Sequence, residues 1–65
     1  MLAENAGFII LLRRPLPDGI EVVLGWRGID DSYVTWLYNP TCDSYFWGHY
    51  TTDQLDALRD YMERK

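Results

Sequence analysis

The chain has 65 residues, is 48% hydrophobic and carries ten aromatic residues and a formal net charge of −4. This aromatic content argues against intrinsic disorder, because each buried aromatic side chain removes roughly 150–250 Å² from water. A chain of this length is expected to form a single domain over residues 1–65. The single cysteine, Cys42, excludes an internal disulfide, so we expect a reducing compartment, the cytoplasm.

Four apolar stretches, separated by turn sequences, predict four β-strands at about residues 7–14, 20–27, 32–38 and 44–50. The first stretch has a continuous apolar run of five residues at 8–12, far short of the roughly 20 that a membrane span needs. Residues 15–19, 28–31 and 39–43 are rich in Pro, Gly, Asn and Asp and predict the turns. In the fourth strand, alternation places Tyr45, Trp47 and His49 on one face and Phe46, Gly48 and Tyr50 on the other. Gly48 indicates a bulge or a close backbone approach.

The hydrophobic period then changes from two to 3.6, which predicts a helix at about residues 52–63. Thr51 and Gln54 fit a capping box at its start. Leu55, Leu58 and Met62 recur at i, i+3 and i+7 and predict the buried stripe, with Tyr61 at its border. The expected fold is therefore α+β: an antiparallel four-stranded sheet with one C-terminal helix packed on one face. The sequence leaves the strand order open, and a meander is the default.

Negative charge is concentrated in the second half of the chain, where residues 30–63 contain seven carboxylates and one basic residue, Arg59. The carboxylates are Asp30, Asp31, Asp43, Asp53, Asp56, Asp60 and Glu63. The last four recur at spacings of 3, 4 and 3, which places them on a strip roughly 80° wide, opposite the apolar stripe. The strip is either a solvated helix face or an electrostatic docking surface. Because an acidic surface repels nucleic acid, we expect a protein partner with a basic surface and no direct nucleic-acid binding.

Tyrosine and tryptophan are also concentrated in the second half of the chain. Because one helix can cover only one face of the sheet, we expect some of these side chains to lie exposed or at a partner interface. The candidate partner-binding aromatics are Trp36, Tyr38, Tyr45 and Trp47, which would otherwise fill the core. Trp26, Tyr38-Asn39, Thr41 and Trp47 together resemble a WW domain over some 25 residues. That resemblance implies a groove at Tyr38 and Trp47 for proline-rich peptides, although the proline usual after the second tryptophan is absent.

The sequence offers no constellation for catalysis or metal binding. Cys42 and His49 are single residues on the order of 20 Å apart along an extended chain, with no third group to orient them. One histidine, one cysteine and scattered aspartates lack zinc spacing, and Asp30-Asp31 lacks the pattern of a calcium loop. We therefore expect no enzyme activity, no metal and no cofactor.

In size, charge, sheet-plus-helix pattern and absence of an active site, the chain is similar to the small inhibitors of phages and mobile elements, of which anti-CRISPR proteins are the best-known group. This resemblance is one of profile, shares no motif and assigns no residue. It implies a DNA-mimic-like inhibitor in the cytoplasm of a bacterial host, bound to a CRISPR effector or another nucleic-acid-handling complex. The alternatives are the WW-like module, an acidic antitoxin or immunity protein, and a homodimer that pairs its first strand, although a monomer is favoured.

Overall fold

The computed structural model describes residues 3–64, which form five antiparallel strands and one C-terminal helix. The elements are β1 (Glu4–Asn5), β2 (Phe8–Pro15), β3 (Glu21–Arg27), β4 (Ser32–Asn39), β5 (Ser44–Thr51) and α1 (Gln54–Glu63). The sheet order is β1-β2-β3-β4-β5, which is the default meander, and the predicted α+β class is confirmed.

The predicted number of four strands is wrong, because β1 adds a short fifth strand at one edge. Ala6 and Gly7 have φ values of 52° and 84°, which lets the chain reverse within two residues. Glu4 then pairs with Ile9 in β2. A strand of two residues is too short to carry an alternating pattern, so periodicity could not reveal it.

Two bulges change which side chains share a face of the sheet. In β2, Ile10 pairs with Gly25 and Leu12 with Leu24, which leaves Leu11 as the extra residue. In β5, the register shifts between the partners of Thr35 and Leu37, where Trp47 adopts a φ of 55°. An extra residue reverses the alternation beyond it.

The predicted alternation of the fourth strand is therefore wrong beyond the bulge. Tyr45 pairs with Tyr38 and Tyr50 pairs with Val34, so both tyrosines lie on the same face. His49 and Phe46 lie together on the opposite face. The predicted close backbone approach at Gly48 is confirmed, since a Cβ there would lie 2.7 Å from Trp36 Nε1.

The sheet curls into a half-barrel and has a core on each face. The concave core consists of Phe8, Ile10, Val23, Val34 and Trp36. The helix-side core consists of Val22, Leu24, Leu37, Ala57 and Tyr61. The rings of Phe8 in β2 and Tyr50 in β5 lie 6.0 Å apart, whereas three strand spacings in a flat sheet would separate them by about 14 Å. The curl thus buries the concave core without a covering helix.

The helix packs on the sheet through a different face from the one predicted. Ala57 and Tyr61 are buried, at 2% and 6% exposure, whereas Leu55 and Met62 are 72% and 67% exposed. Only Leu58 of the predicted stripe packs against the helix-side core, where it is half-buried. The helix is turned about a third of a turn from the predicted orientation. The small side chain of Ala57 allows close approach, and polar contacts on the same face outweigh the exposure of Leu55 and Met62.

Polar side chains fix both ends of the helix. Asp53 is the N-cap and accepts from the backbone N–H groups of Leu55 and Asp56, so the predicted capping box at Thr51 and Gln54 is wrong. Thr51 Oγ1 instead accepts from the N–H of Asp53. At the other end, the Arg14 guanidinium of β2 donates to the carbonyl oxygens of Tyr61, at 2.6 Å, and Arg64, at 2.8 Å. A cation at this end also interacts favourably with the negative end of the helix dipole.

Candidate protein-binding site

The acidic residues of the turns form local contacts at opposite ends of the sheet. Asp30 forms an ion pair of 2.7 Å with Arg27, whose hydrogen bond lowers the pKa of Asp30 to about 2. Asp31 accepts from Trp26 Nε1 in the same turn. Asp43 accepts from the hydroxyl of Tyr38 at the far end of β4, roughly 25 Å away along the strand. The seven predicted carboxylates are therefore not brought together on one face.

The helical carboxylates also divide into two groups. Asp56 and Glu63 point to solvent, and Asp56 lies 3.5 Å from Arg59. Asp53 is exposed but has the structural role of the N-cap. Asp60 turns toward the sheet, so the predicted row of four is reduced to three exposed carboxylates.

Asp60 is the centre of a polar cluster that joins the helix to β4 and β5. Its carboxylate accepts from Thr35 Oγ1 and lies 2.9 Å from His49 Nδ1. Arg64 donates to the carbonyl oxygen of Thr35 at 2.8 Å and to that of Trp47. Burial raises the pKa of Asp60, but the hydrogen bonds from Thr35 and His49 outweigh it, and the net pKa lies below its ordinary value. We call this cluster the clamp, because its contacts hold the helix against the sheet.

The same three side chains, Asp60, Thr35 and His49, differ in order from a catalytic triad. In a triad a base contacts the hydroxyl nucleophile, and a carboxylate contacts the base from its other side. Here the carboxylate itself stands between Thr35 and His49, and Thr35 is 1% exposed. Cys42 lies in the exposed β4–β5 turn, where its Sγ contacts Ser44 Oγ.

Asp60→Asn tests this clamp through its pH dependence. Because the folded pKa of Asp60 lies below its unfolded value, its charge stabilises the fold above pH ~4 and loses that effect as the pH falls through the folded pKa. We expect the variant to lose about 1–2 kcal/mol at pH 7, and the difference from the native chain to shrink toward pH 3. Urea unfolding at both pH values measures it. Asp56→Asn, one turn earlier and exposed, should change stability by less than about 0.5 kcal/mol, and an equal effect of the two substitutions would contradict the clamp.

The exposed side of the helix combines apolar and acidic side chains. We call Leu55, Asp56, Arg59, Met62 and Glu63 the outer helix face. Leu55 and Met62 project about 20° apart around the helix axis and roughly 130° from the buried Ala57 and Tyr61. Arg59 lies beside them, and Asp56 and Glu63 lie beyond Arg59. Sequence periodicity selected Leu55 and Met62 but assigned them to the core. The sequence does contain the stripe that faces the sheet: Ala57, Tyr61 and Arg64 recur at spacings of four and three. Because their side chains are less hydrophobic than Leu55, Leu58 and Met62, periodicity did not select them.

The predicted aromatic anchors have very different exposures. Trp36 is 4% exposed and lies within the concave core. Tyr38 and Tyr45 are half-buried and stack at 4.6 Å, with the guanidinium of Arg13 above Tyr38. Trp47 is 73% exposed and packs edge-on against Phe46, away from the Tyr38–Tyr45 pair. Of these four, Trp47 has by far the most accessible ring.

Comparison of the sequence with protein-family models and with curated proteins, and of the fold with solved structures, gives no match. Among residues 3–64, no three His, Cys, Asp or Glu side chains come together as metal ligands would. In the same part of the chain, α1 is too short and too polar to cross a membrane.

Proposed function

We propose that this chain is a non-enzymatic binding protein that uses its acidic helix to occupy a basic, nucleic-acid-binding surface of a partner protein. The observation that carries the proposal is the outer helix face, which exposes the carboxylates Asp56 and Glu63 together with the apolar side chains Leu55 and Met62. The carboxylates would meet lysine and arginine side chains that otherwise hold phosphates, and the apolar side chains would supply the desolvated contact.

The distribution of basic residues supports this choice of partner. Arg14 and Arg64 are engaged with backbone carbonyl oxygens, and Arg27 pairs with Asp30. Arg59 is the basic residue on the outer helix face, and it already lies against Asp56. The exposed side of the helix thus has a net negative charge, which would speed association with a basic surface and make binding sensitive to salt.

The partner class includes the CRISPR effectors and other nucleic-acid-handling complexes of a bacterial host, and the basic nucleases that acidic antitoxins and immunity proteins block. All of these partners would be recognised through a basic surface, so the identity of the captured protein distinguishes among them. The WW-like alternative is less favoured, because Tyr38 stacks on Tyr45 whereas Trp47 packs against Phe46. The two rings therefore do not line one groove.

Capture from a bacterial lysate on the immobilised chain tests the proposal. We expect bound proteins to be released by added duplex DNA and by raised salt. The double variant Asp56→Asn with Glu63→Gln removes two charges without a large change in size. It should capture several-fold less of the same proteins at about 0.15 M salt, since exposed charge pairs contribute roughly 0.2–1 kcal/mol each.

The matched control is Glu4→Gln with Asp18→Asn, which makes the same change in net charge away from the helix. Both residues are exposed, and the amide oxygen introduced by Asp18→Asn would still accept from the N–H of Ile20, as the Asp18 carboxylate does. Equal losses in the two double variants would show a general charge effect in place of a helix-specific surface. Capture that neither DNA nor the helix variant alters would overturn the proposed function.

A further inference from the structure

Two large apolar side chains lie exposed on the outer helix face. Leu55 is 72% exposed and Met62 is 67% exposed, and they lie seven residues apart, or about 10.5 Å along the axis. Leu58 lies between them and is half-buried. The three form a seam with spacings of three and four, which is the repeat by which one helix packs along another.

The fold does not need Leu55 and Met62 to hold the helix in place, since only Leu58 of the seam packs against the helix-side core. Attachment is supplied by Ala57 and Tyr61 in the helix-side core, by the Asp60 cluster and by Arg14 at the C-terminal end. On the same side of the sheet as the helix, Leu12 pairs with Leu24 and is 44% exposed. Apolar residues gathered on one side of a small protein indicate an interaction surface more strongly than scattered ones do.

The charges beside the seam select the occupant. Arg59 borders the seam and lies 3.5 Å from Asp56. We call Asp56 and Glu63, which lie beyond Arg59 around the helix, the acidic flank; with Arg59 they leave this side of the helix with a net charge of −1. A second copy of the chain would bring two acidic helices together, and an anionic membrane surface would repel the same carboxylates. A helix with an apolar stripe and a lysine or arginine flank complements both features.

We propose that the seam of Leu55, Leu58 and Met62 receives a basic amphipathic helix of the partner. The apolar stripe of that helix lies along the seam, and its lysines or arginines extend past Arg59 to Asp56 and Glu63. This inference rests on the proposed function for the sign of the partner's charge and adds the secondary structure of the segment that is bound. The apolar contact determines the dissociation rate, and the acidic flank determines the dependence on salt.

A defined peptide tests the inference without knowledge of the partner. The probe has three heptads with leucine at the seam positions and lysine or alanine elsewhere, and a matched probe carries glutamate in place of lysine. We expect the lysine peptide to bind, measured by fluorescence anisotropy, and to gain helicity by circular dichroism, whereas the glutamate peptide should not bind. Leu55→Ala with Met62→Ala should weaken binding tenfold or more, because each buried side chain of this size contributes on the order of tenfold.

The control variant is Ile29→Ala, which removes a 92% exposed apolar side chain in the β3–β4 turn and should leave peptide affinity unchanged. Asp56→Asn with Glu63→Gln should weaken lysine-peptide binding by about threefold and reduce its salt dependence. Thermal melts of every variant check that the fold is intact, and the exposure of the substituted side chains predicts that it is.

The inference is overturned if the lysine peptide does not bind, or if it binds the Leu55→Ala, Met62→Ala variant as tightly as the native chain. It is also overturned if light scattering shows a dimer, in place of the 7.7 kDa monomer, that the peptide does not dissociate. Binding to phosphatidylcholine vesicles that is lost in the same apolar variant would assign the seam to lipid instead. If the apolar variant has no effect while the charge variant still lowers DNA-releasable capture, the proposed function stands and the inference fails.

Discussion

Replacing Trp36 by alanine is expected to remove about half or more of the free energy of unfolding of this chain. Trp36 is 4% exposed, and its ring contacts Phe8, Tyr45 and Tyr50 at centroid distances of 5.3–6.1 Å. Removing a buried tryptophan costs about 3–5 kcal/mol, whereas a domain of this length is stable by only roughly 3–10 kcal/mol. Circular dichroism and urea unfolding would measure the loss.

Trp47→Ala is the matched control for this prediction. Trp47 is 73% exposed and packs mainly against Phe46. We expect a change in unfolding free energy of less than about 1 kcal/mol. Similar losses in the two variants would contradict the assignment of Trp36 to the concave core and Trp47 to the surface. The pair also shows why Trp36 is a poor candidate for partner contact: its ring is accessible only if the curled sheet opens.

Replacing Arg14 by alanine is expected to have the second largest effect, a loss of about 2–3 kcal/mol with fraying of the C-terminal end of the helix. The guanidinium donates to two carbonyl oxygens at 2.6 and 2.8 Å and lies 5.6 Å from the centre of the Tyr61 ring. Hydrogen bonds from a charged donor contribute roughly 1.5–3 kcal/mol, and the helix dipole adds a smaller amount. Chemical unfolding measures the free energy, and hydrogen exchange of residues 60–64 measures the fraying.

The neighbouring residue Arg13 offers a control of the same residue type on the same strand. Its guanidinium forms an ion pair of 3.4 Å with Glu21, and its side chain is 47% exposed. Arg13→Ala should therefore cost less than about 1 kcal/mol and leave exchange in the helix unchanged. If Arg13→Ala were the more damaging substitution, the assignment of Arg14 as the residue that holds the helix end would be wrong.

Asp60 illustrates how the tertiary contacts changed the candidate site. On a helical wheel it belongs with Asp53, Asp56 and Glu63, and its removal would test an acidic docking row. In the structure it contacts Thr35 and His49, so its substitution would destabilise the fold as well as change the charge. For the same reason Asp53, the N-cap, is not a clean probe of binding. Asp56 and Glu63 are the acidic positions whose substitution tests the surface alone.

Local sequence pattern alone determined the α+β class, the positions of the four long strands, the position of the helix to within about two residues and the acidic character of the second half. Strand alternation and helix periodicity are properties of neighbouring residues, so they can be read without knowledge of the fold. Only the tertiary structure decided which helix face is buried, because that choice depends on Ala57 fitting closely to the sheet and on Arg14, Asp60 and Arg64 finding partners far along the chain. The bulge at Trp47 likewise reversed the faces of β5, and the curl of the sheet buried Trp36 without a helix above it. Each of these outcomes is set by contacts between residues distant in sequence, which a pattern of neighbours does not contain.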